Sequence, residues 1–234
     1  MGLAPPVTAL YPAVRTEQQS FYMANLITLS RLLLVLVVIL LAHFASPPWY
    51  LLNVVLLILA FVTDALDGAV ARKRGETSRF GAMFDIATDR IVELSMWVLF
   101  AQLGLVGLWV PLVFIARGSI TDSIRAVELA ETGRAPFKSL DSPVSRWIVA
   151  GVFMRVFYAV IKAVTFCWLM LSFALSALLP DLPPAILSLM QVVGQALVLL
   201  SVALCLLRGA PVLVEFLRRE GARSERQLPN ISAR

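Results

Sequence analysis

Residues 48–103 read PWYLLNVVLLILAFVTDALDGAVARKRGETSRFGAMFDIATDRIVELSMWVLFAQL, two apolar runs joined by a short polar, basic segment. Each run approaches the roughly 20 residues with which an α-helix crosses a hydrocarbon core. Residues three or four apart share a helix face, so Asp64 pairs with Asp67 and Asp85 with Asp89. Since a short connection makes neighbouring helices antiparallel, this stretch predicts a hairpin whose four carboxylates converge at one end.

The composition of the whole chain is that of a membrane protein. Of 234 residues, 59% are hydrophobic and only 15% charged, and the mean hydropathy is +0.85. A soluble domain carries about a quarter charged residues. Because the apolar residues form long runs without a period of two, we predict an all-α, polytopic membrane protein and not a barrel. The six predicted spans are Ala24–Phe44, Pro48–Thr63, Ala82–Leu103, Val106–Thr121, Val152–Leu178 and Pro184–Leu207.

The basic residues predict the orientation of these spans. The connections 45–47, 104–105 and 179–183 contain no Lys or Arg, whereas the opposite connections contain both and the C-terminal segment is rich in Arg. By the positive-inside rule, both termini and the acidic end of the hairpin face the cytoplasm, as in a bacterial inner membrane. The net charge of +5 then suits anionic lipid headgroups and indicates no nucleic-acid partner.

The chain divides into three parts on this basis. Residues 1–23 form an N-terminal cytoplasmic segment, residues 24–207 the six-helix domain and residues 208–234 a basic cytoplasmic tail. Residues 10–23 mix aromatic and charged side chains, which is compatible with a helix lying in the membrane interface. Residues 212–217 carry a similar pattern.

Four carboxylates at one place indicate a metal site. Their mutual repulsion and desolvation force protonation or unfolding unless cations neutralise them. Oxygen ligands select hard ions such as Mg²⁺ or Mn²⁺, and bridging carboxylates allow two ions to bind. Such ions can grip a diphosphate while a phosphorus–oxygen bond breaks.

Salt bridges to the nearby arginines in a solvated loop are the alternative reading of these acids. Asp85 and Asp89 lie within or beside an apolar span, where ionisable residues usually serve function. Small residues at positions 68, 71 and 81 leave room for a substrate, and Arg72 can bind a phosphate through its planar fork. We therefore favour the metal site.

The string D-x-x-D-G-x-x-A-R-x8-G-x3-D-x3-D, from Asp64 to Asp89, resembles the signature of the CDP-alcohol phosphotransferase family at all eight fixed positions. Asn25-x-x-Thr28-x-x-Arg31 and the six spans are also similar to that family, and the resemblance covers about residues 23–207. It implies a homodimer that uses CDP-diacylglycerol, with Asp89 as a metal ligand and general base. The implied metal ligands are Asp64, Asp67, Asp85 and Asp89, and the implied CDP-site residues are Gly68, Ala71, Arg72 and Gly81.

The acceptor alcohol is predicted from arginines further along the chain. Arg117, Arg125 and the Glu-Leu-Ala-Glu-Thr-Gly-Arg stretch that ends at Arg134 are similar to phosphatidylglycerophosphate synthases. Together with Arg146, these arginines would bind the phosphate of glycerol 3-phosphate. Asp89-Arg90 instead resembles members that use inositol phosphate and actinobacterial cardiolipin synthases, which use phosphatidylglycerol. A purely structural role for Arg117, paired with Glu93 or Asp122, is the further alternative.

Two other classes of membrane protein use clustered acids. An intramembrane prenyltransferase places two Asp motifs on separate hairpins, whereas this chain has one compact motif. A divalent-cation transporter needs acids along a pore, yet the outer halves of the predicted spans hold almost none. Both classes are less well supported by the sequence than the transferase.

Overall fold

The computed structural model describes the backbone of residues 11–74, 79–132 and 143–227, and the side chains of residues 28–64, 83–130, 145–149 and 151–221. Every regular element within these ranges is helical, which confirms the all-α prediction for this part of the chain. The elements are α1 (Tyr11–Phe44), a 3₁₀ turn (Pro47–Trp49), α2 (Tyr50–Arg74), α3 (Arg79–Gln102), α4 (Trp109–Thr132), α5 (Pro143–Ala150), α6 (Val152–Leu178) and α7 (Pro184–Gln227).

The chain forms two compact units. The first comprises Met1–Phe100 and Phe166–Pro183, and the second comprises Ala101–Thr165 and Pro184–Arg234. The first unit therefore contains α1, α2, nearly all of α3 and the end of α6. The second contains α4, α5, the beginning of α6 and α7.

In the first unit, α1 and α2 each bury one stripe of side chains. The buried positions recur every three or four residues, the spacing that brings side chains onto one helix face. Leu33 and Leu36, between them on α1, are exposed, as expected of a surface that lies against lipid. The buried residues are Arg31, Val35, Val38 and Ala42 on α1, and Asn53, Leu57 and Ala60 on α2.

An aromatic cluster joins α3 to the end of α6. The ring of Trp97 meets that of Phe166 nearly edge-on, with centroids 4.8 Å apart at 83°, and the Phe100 ring lies 5.5 Å from the same phenylalanine. All three side chains are fully buried. Such pairs stabilise beyond the area they bury, so they hold α3 in place about two helical turns from Asp89.

The core of the second unit joins α4, α5 and α7. Ile124, Val149 and Val212 form a buried cluster, with Phe216 packed against its edge. The hydroxyl groups of Thr165 on α6 and Ser201 on α7 lie 3.0 Å apart and share a hydrogen bond. A buried polar pair of this kind satisfies two groups that would otherwise be costly in apolar surroundings.

Three described helices are long and apolar enough to cross a membrane, at Pro47–Asp64, Val152–Leu178 and Pro184–Gly221. A shorter apolar helix covers Thr28–Phe44. These four helices coincide with predicted spans. The other two predicted spans fall in α3 and α4, whose ionisable side chains lower their apolar character, and the six-span topology stays a prediction.

The helix ends differ from the sequence-based boundaries. Residues 11–23 are the first turns of α1, and residues 212–217 lie within α7, so neither segment is a separate interfacial helix. Helical hydrogen bonding continues through Arg, Glu and Gln because these residues are good helix formers. Pro211 inside α7 is tolerated, as prolines often are in membrane helices. The short helix α5 was not predicted, because eight residues carry little periodic signal.

Candidate metal centre and arginine cluster

The hairpin of α2 and α3 brings acidic side chains together in the first unit. One carboxylate oxygen each from Asp64 on α2 and from Asp85 and Asp89 on α3 lie within 4.8 Å of one another. Asp85 and Asp89 are four residues apart on α3 and so share a face. Asp67 belongs to α2, but its side chain lies outside the described residues. Three of the four predicted ligands are thus found at one place.

Arg31 of α1 is the cation that faces this cluster. Its guanidinium forms ion pairs with Asp64, with Asp85 at 3.3 Å between Nη2 and Oδ1, and with Asp89 at 2.8 Å between Nη2 and Oδ1. The arginine side chain is only 6% exposed, whereas those of the three acids are 44%, 55% and 57% exposed. The cluster is therefore basic on its buried side and acidic on its exposed side.

The donor set fits a divalent cation. Among the described side chains, three carboxylates surround one guanidinium. Carboxylate oxygens are the preferred ligands of Mg²⁺, Mn²⁺ and Ca²⁺. The clustered oxygens and their exposure together make this group of acids a candidate metal centre.

The predicted nucleotide-binding residues lie next to this centre along the chain. Gly68, Ala71 and Arg72 belong to the last turns of α2, and Gly81 belongs to the first turn of α3. Their side chains lie outside the described residues. Their role in binding CDP therefore stays a prediction from the motif.

In the second unit, Arg117 of α4 has an unusual environment. Its Nε atom is buried without a hydrogen-bond partner, and Arg117 forms no ion pair within the part of the chain that the structure describes. Gly209 of α7 makes room for it, because a Cβ atom there would lie 2.9 Å from Cγ and 3.0 Å from Nε of Arg117. A half-buried arginine whose Nε atom has no hydrogen-bond partner is suited to an anionic ligand.

The proposed structural partners of Arg117 are engaged elsewhere. Asp122 pairs with Arg125, at 3.5 Å between Oδ1 and Nη1, and Glu93 pairs with Arg90 at 3.1 Å. The Asp122–Arg125 contact argues against the interpretation in which Arg117 serves only to neutralise Asp122, whereas a pairing with Glu93 stays a prediction. Arg146, the third predicted acceptor ligand, lies exposed on α5.

Arg208 of α7 is a further cation of the second unit. From the sequence it was predicted only as part of the basic C-terminal tail. Its guanidinium donates to the backbone carbonyls of Val149 at 3.2 Å and Met154 at 3.5 Å, and lies over the ring of Tyr158. It also experiences like-charge repulsion from Arg117, Arg155 and Arg125. Arg208 could have been recognised from the sequence, because it directly follows a long apolar run at the end of a predicted span.

The arginine holds the junction between α5 and α6. Gly151 separates the two helices, and a Cβ atom at that position would lie 2.2 Å from the carbonyl oxygen of Trp147. Only glycine fits so close an approach. The carbonyls that accept from Arg208 lie on either side of this glycine, so the arginine ties both helices to α7.

A sequence profile of the CDP-alcohol phosphatidyltransferases matches residues 21–207, most of the chain. The chain belongs to the CDP-alcohol phosphatidyltransferase family. The family resemblance read from the Asp motif is therefore confirmed, and the matched region includes α2, α3 and all three described acids of the candidate metal centre.

Individual relatives of this CDP-alcohol phosphatidyltransferase carry two kinds of name. A CDP-diacylglycerol–glycerol-3-phosphate 3-phosphatidyltransferase of Bacillus subtilis is 29% identical over 54% of this chain and 72% of its own length. A protein of the same name from Rickettsia typhi is 26% identical over 57% of this chain and 71% of its own. A CMP-forming cardiolipin synthase of Streptomyces coelicolor is 36% identical over 40% of this chain and 45% of its own.

Proposed function

We propose that this chain transfers the phosphatidyl group of CDP-diacylglycerol to glycerol 3-phosphate and releases CMP. The observation that carries the proposal is the convergence of Asp64, Asp85 and Asp89 within 4.8 Å on the two helices of the family motif. The names of the Bacillus and Rickettsia relatives support glycerol 3-phosphate as the acceptor.

The acids have two tasks in this reaction. Asp64, Asp67, Asp85 and Asp89 would hold two Mg²⁺ or Mn²⁺ ions, which supply positive charge next to the diphosphate when bound. Asp89 takes the proton of the acceptor hydroxyl as general base. The acceptor oxygen then forms a bond to the phosphorus that carries diacylglycerol, and the bond from that phosphorus to the CMP oxygen breaks. CMP leaves with the electron pair.

The remaining residues bind the two substrates. On the nucleotide side, the small residues allow the CDP group to approach the helix backbone closely and Arg72 binds a phosphate oxygen. On the acceptor side, guanidinium groups bind the phosphate of glycerol 3-phosphate through charge-assisted hydrogen bonds. The proposed nucleotide-binding residues are Gly68, Ala71, Arg72 and Gly81, and the proposed acceptor-binding residues are Arg117, Arg125 and Arg146.

We propose the membrane topology from the apolar helices and the charge distribution, and the homodimer from the family resemblance. We place the protein in a bacterial inner membrane as a multi-pass homodimer with six spans in each chain, and its catalytic centre on the cytoplasmic side. The six-helix domain occupies residues 24–207, flanked by cytoplasmic residues 1–23 and 208–234. The membrane setting is supported by three helices of sufficient length and apolar composition.

The deciding experiment measures CMP release from CDP-diacylglycerol by the purified protein in mixed micelles with Mn²⁺ or Mg²⁺. Glycerol 3-phosphate, inositol 1-phosphate, phosphatidylglycerol and serine are offered separately, and the lipid product is identified by mass. We expect turnover with glycerol 3-phosphate that a chelator abolishes. Metal uptake into vesicles without CMP release would instead indicate a transporter, and release of inorganic diphosphate from a prenyl substrate would indicate a prenyltransferase.

Phosphatidylglycerol is the second candidate acceptor. Two observations favour it, the Asp89-Arg90 ending of the motif and the similarity to a CMP-forming cardiolipin synthase. Cardiolipin as the product of the same assay, with no product from glycerol 3-phosphate, would establish this reading. Product from inositol 1-phosphate alone would establish an inositol-phosphate enzyme.

A further inference from the structure

The side chain of Arg31 lies where a metal ion would have to act. It contacts Asp64, Asp85 and Asp89, the three described acids of the candidate metal centre, through both terminal nitrogens. The guanidinium and a divalent cation would thus bind the same three carboxylates.

We propose that Arg31 is a built-in counter-ion that competes with the divalent metal for this cluster and gives up part of its contacts when the metal binds. The proposal rests on the proposed function in one respect: both take these three acids to be metal ligands. It makes Arg31 a positioning residue that sets how tightly the metal is held.

The charges explain why both states are stable. Three carboxylates this close together repel one another, and Arg31 compensates one of the three charges. An ion such as Mg²⁺ compensates two charges and binds oxygen at about 2.0–2.1 Å, which the bulky guanidinium cannot match. Because a cation in the cluster repels the adjacent guanidinium, full metal binding and the full set of arginine contacts oppose each other.

The surroundings of Arg31 allow such a shift. Its Nε atom is buried and has no hydrogen-bond partner among the described residues, so the head group is held by the acids alone. The acids lie on the exposed side of the cluster, through which an ion can enter. Arginine also has a long side chain with several rotatable bonds, so a retreat of its head group requires no movement of α1.

If Arg31 assists metal binding instead of competing with it, its removal changes the metal affinity in the opposite direction. If the guanidinium orients the carboxylates so that they can bind the metal, as outer ligands often do, then its removal weakens metal binding. If it competes with the metal, then its removal strengthens metal binding. The direction of the change in metal affinity therefore separates the two roles without reference to turnover.

The test measures Mn²⁺ binding to the purified protein by electron paramagnetic resonance, together with the thermal unfolding midpoint with and without Mn²⁺. We expect Arg31→Gln to lower the Mn²⁺ dissociation constant about tenfold, which corresponds to about 1.4 kcal/mol. The metal-free midpoint should fall, because the acids lose their counter-ion, and Mn²⁺ should raise the midpoint of the variant more than that of the wild type. Arg31→Lys, which keeps the charge, should lie between the two.

Arg219→Gln is the matched control, because Arg219 pairs with Glu128 and Glu215 in the second unit. It should leave Mn²⁺ binding unchanged. If Arg31→Gln folds only with metal, the protein is purified with Mn²⁺ and the chelator concentration that strips the ion is compared, and a higher concentration is expected for the variant. Weaker or unchanged binding in Arg31→Gln, or no Mn²⁺ binding by the wild type, overturns the proposal.

The result of the Mn²⁺-binding test is independent of the result of the CMP-release assay. Competition by Arg31 in a protein that releases no CMP would leave this inference standing and remove the transferase assignment. CMP release by a protein in which Arg31→Gln binds Mn²⁺ no more tightly would do the reverse.

Discussion

The ionisable side chains of the two units have contrasting partners. Asp64, Asp85 and Asp89 gather around one buried arginine, Arg31. Arg117 lies in a group of cations and has no described ion pair. Charges within apolar helices are costly unless they bind one another or a ligand. The first group is therefore suited to a cationic ligand and the second to an anionic one.

Asp89→Asn tests the general base. The amide keeps the size and much of the polarity of the side chain but cannot take a proton, so we expect CMP release to fall at least about a hundredfold. Binding of CDP-diacylglycerol, measured by equilibrium dialysis in micelles, should largely survive. Asp181→Asn, an exposed acid between α6 and α7, is the control and should keep full activity. A variant that binds CDP-diacylglycerol poorly but turns over bound substrate at the wild-type rate would contradict the role of Asp89 as general base.

Arg117→Gln tests the acceptor site. Removing a guanidinium that binds the acceptor phosphate should raise the KM for glycerol 3-phosphate at least about tenfold, with little change in the KM for CDP-diacylglycerol. The measurement is a full kinetic series in each substrate. Arg219→Gln serves as the control for lost positive charge in the same unit. Wild-type kinetics in the Arg117 variant would remove this residue from the acceptor site.

At the scale of helices, close packing of α7 against α4 depends on a glycine, which has no side chain. Gly209 lies where any Cβ atom would press on the aliphatic part and Nε of Arg117. Interiors are packed densely enough that even one methyl group is felt. The glycine on α7 therefore leaves room for the side chain of Arg117 on α4.

Gly209→Ala should displace Arg117 while leaving the helix intact, because alanine is the better helix former. We expect an increase of several-fold in the KM for glycerol 3-phosphate, little change in the KM for CDP-diacylglycerol and a folded protein. Gly221→Ala near the end of α7 is the matched control, since its added methyl group meets nothing within 4 Å. Equal kinetics of the two variants would show that this packing does not govern acceptor binding.

For the molecule as a whole, the distribution of positive charge predicts the orientation in the membrane. Basic residues are absent from the connections at 45–47, 104–105 and 179–183, and abundant after residue 207. Short basic segments stay on the cytoplasmic side during insertion. We therefore predict that both termini lie on the cytoplasmic side.

Cysteine labelling in intact cells tests this orientation. Cys167 and Cys205 are first replaced by Ala, and single cysteines are placed at Ser46, Asp181 and Arg218, all of them exposed. A membrane-impermeant maleimide should label the first two positions from outside. The third should react only after the inner membrane is permeabilised. Labelling at position 218 in intact cells would invert the proposed topology.

Sequence alone determined the local features of this protein. Long apolar runs determined the helices because burial in lipid requires every backbone group to bond within its own segment. The spacing within the motif determined that Asp85 and Asp89 share a face, since that depends only on the helical repeat. It did not determine where α1 begins or where α7 ends, because polar residues that form helices well carry no boundary signal.

Tertiary structure decided which distant residues meet. The choice of Arg31 as the cation facing Asp64, Asp85 and Asp89 depends on how α1 packs against its neighbours, and no local pattern contains that information. The same holds for Gly209 beside Arg117 and for Arg208 at the junction of α5 and α6. Helix periodicity reports which face a residue occupies, whereas the partner on the opposing helix follows from the packing of whole surfaces.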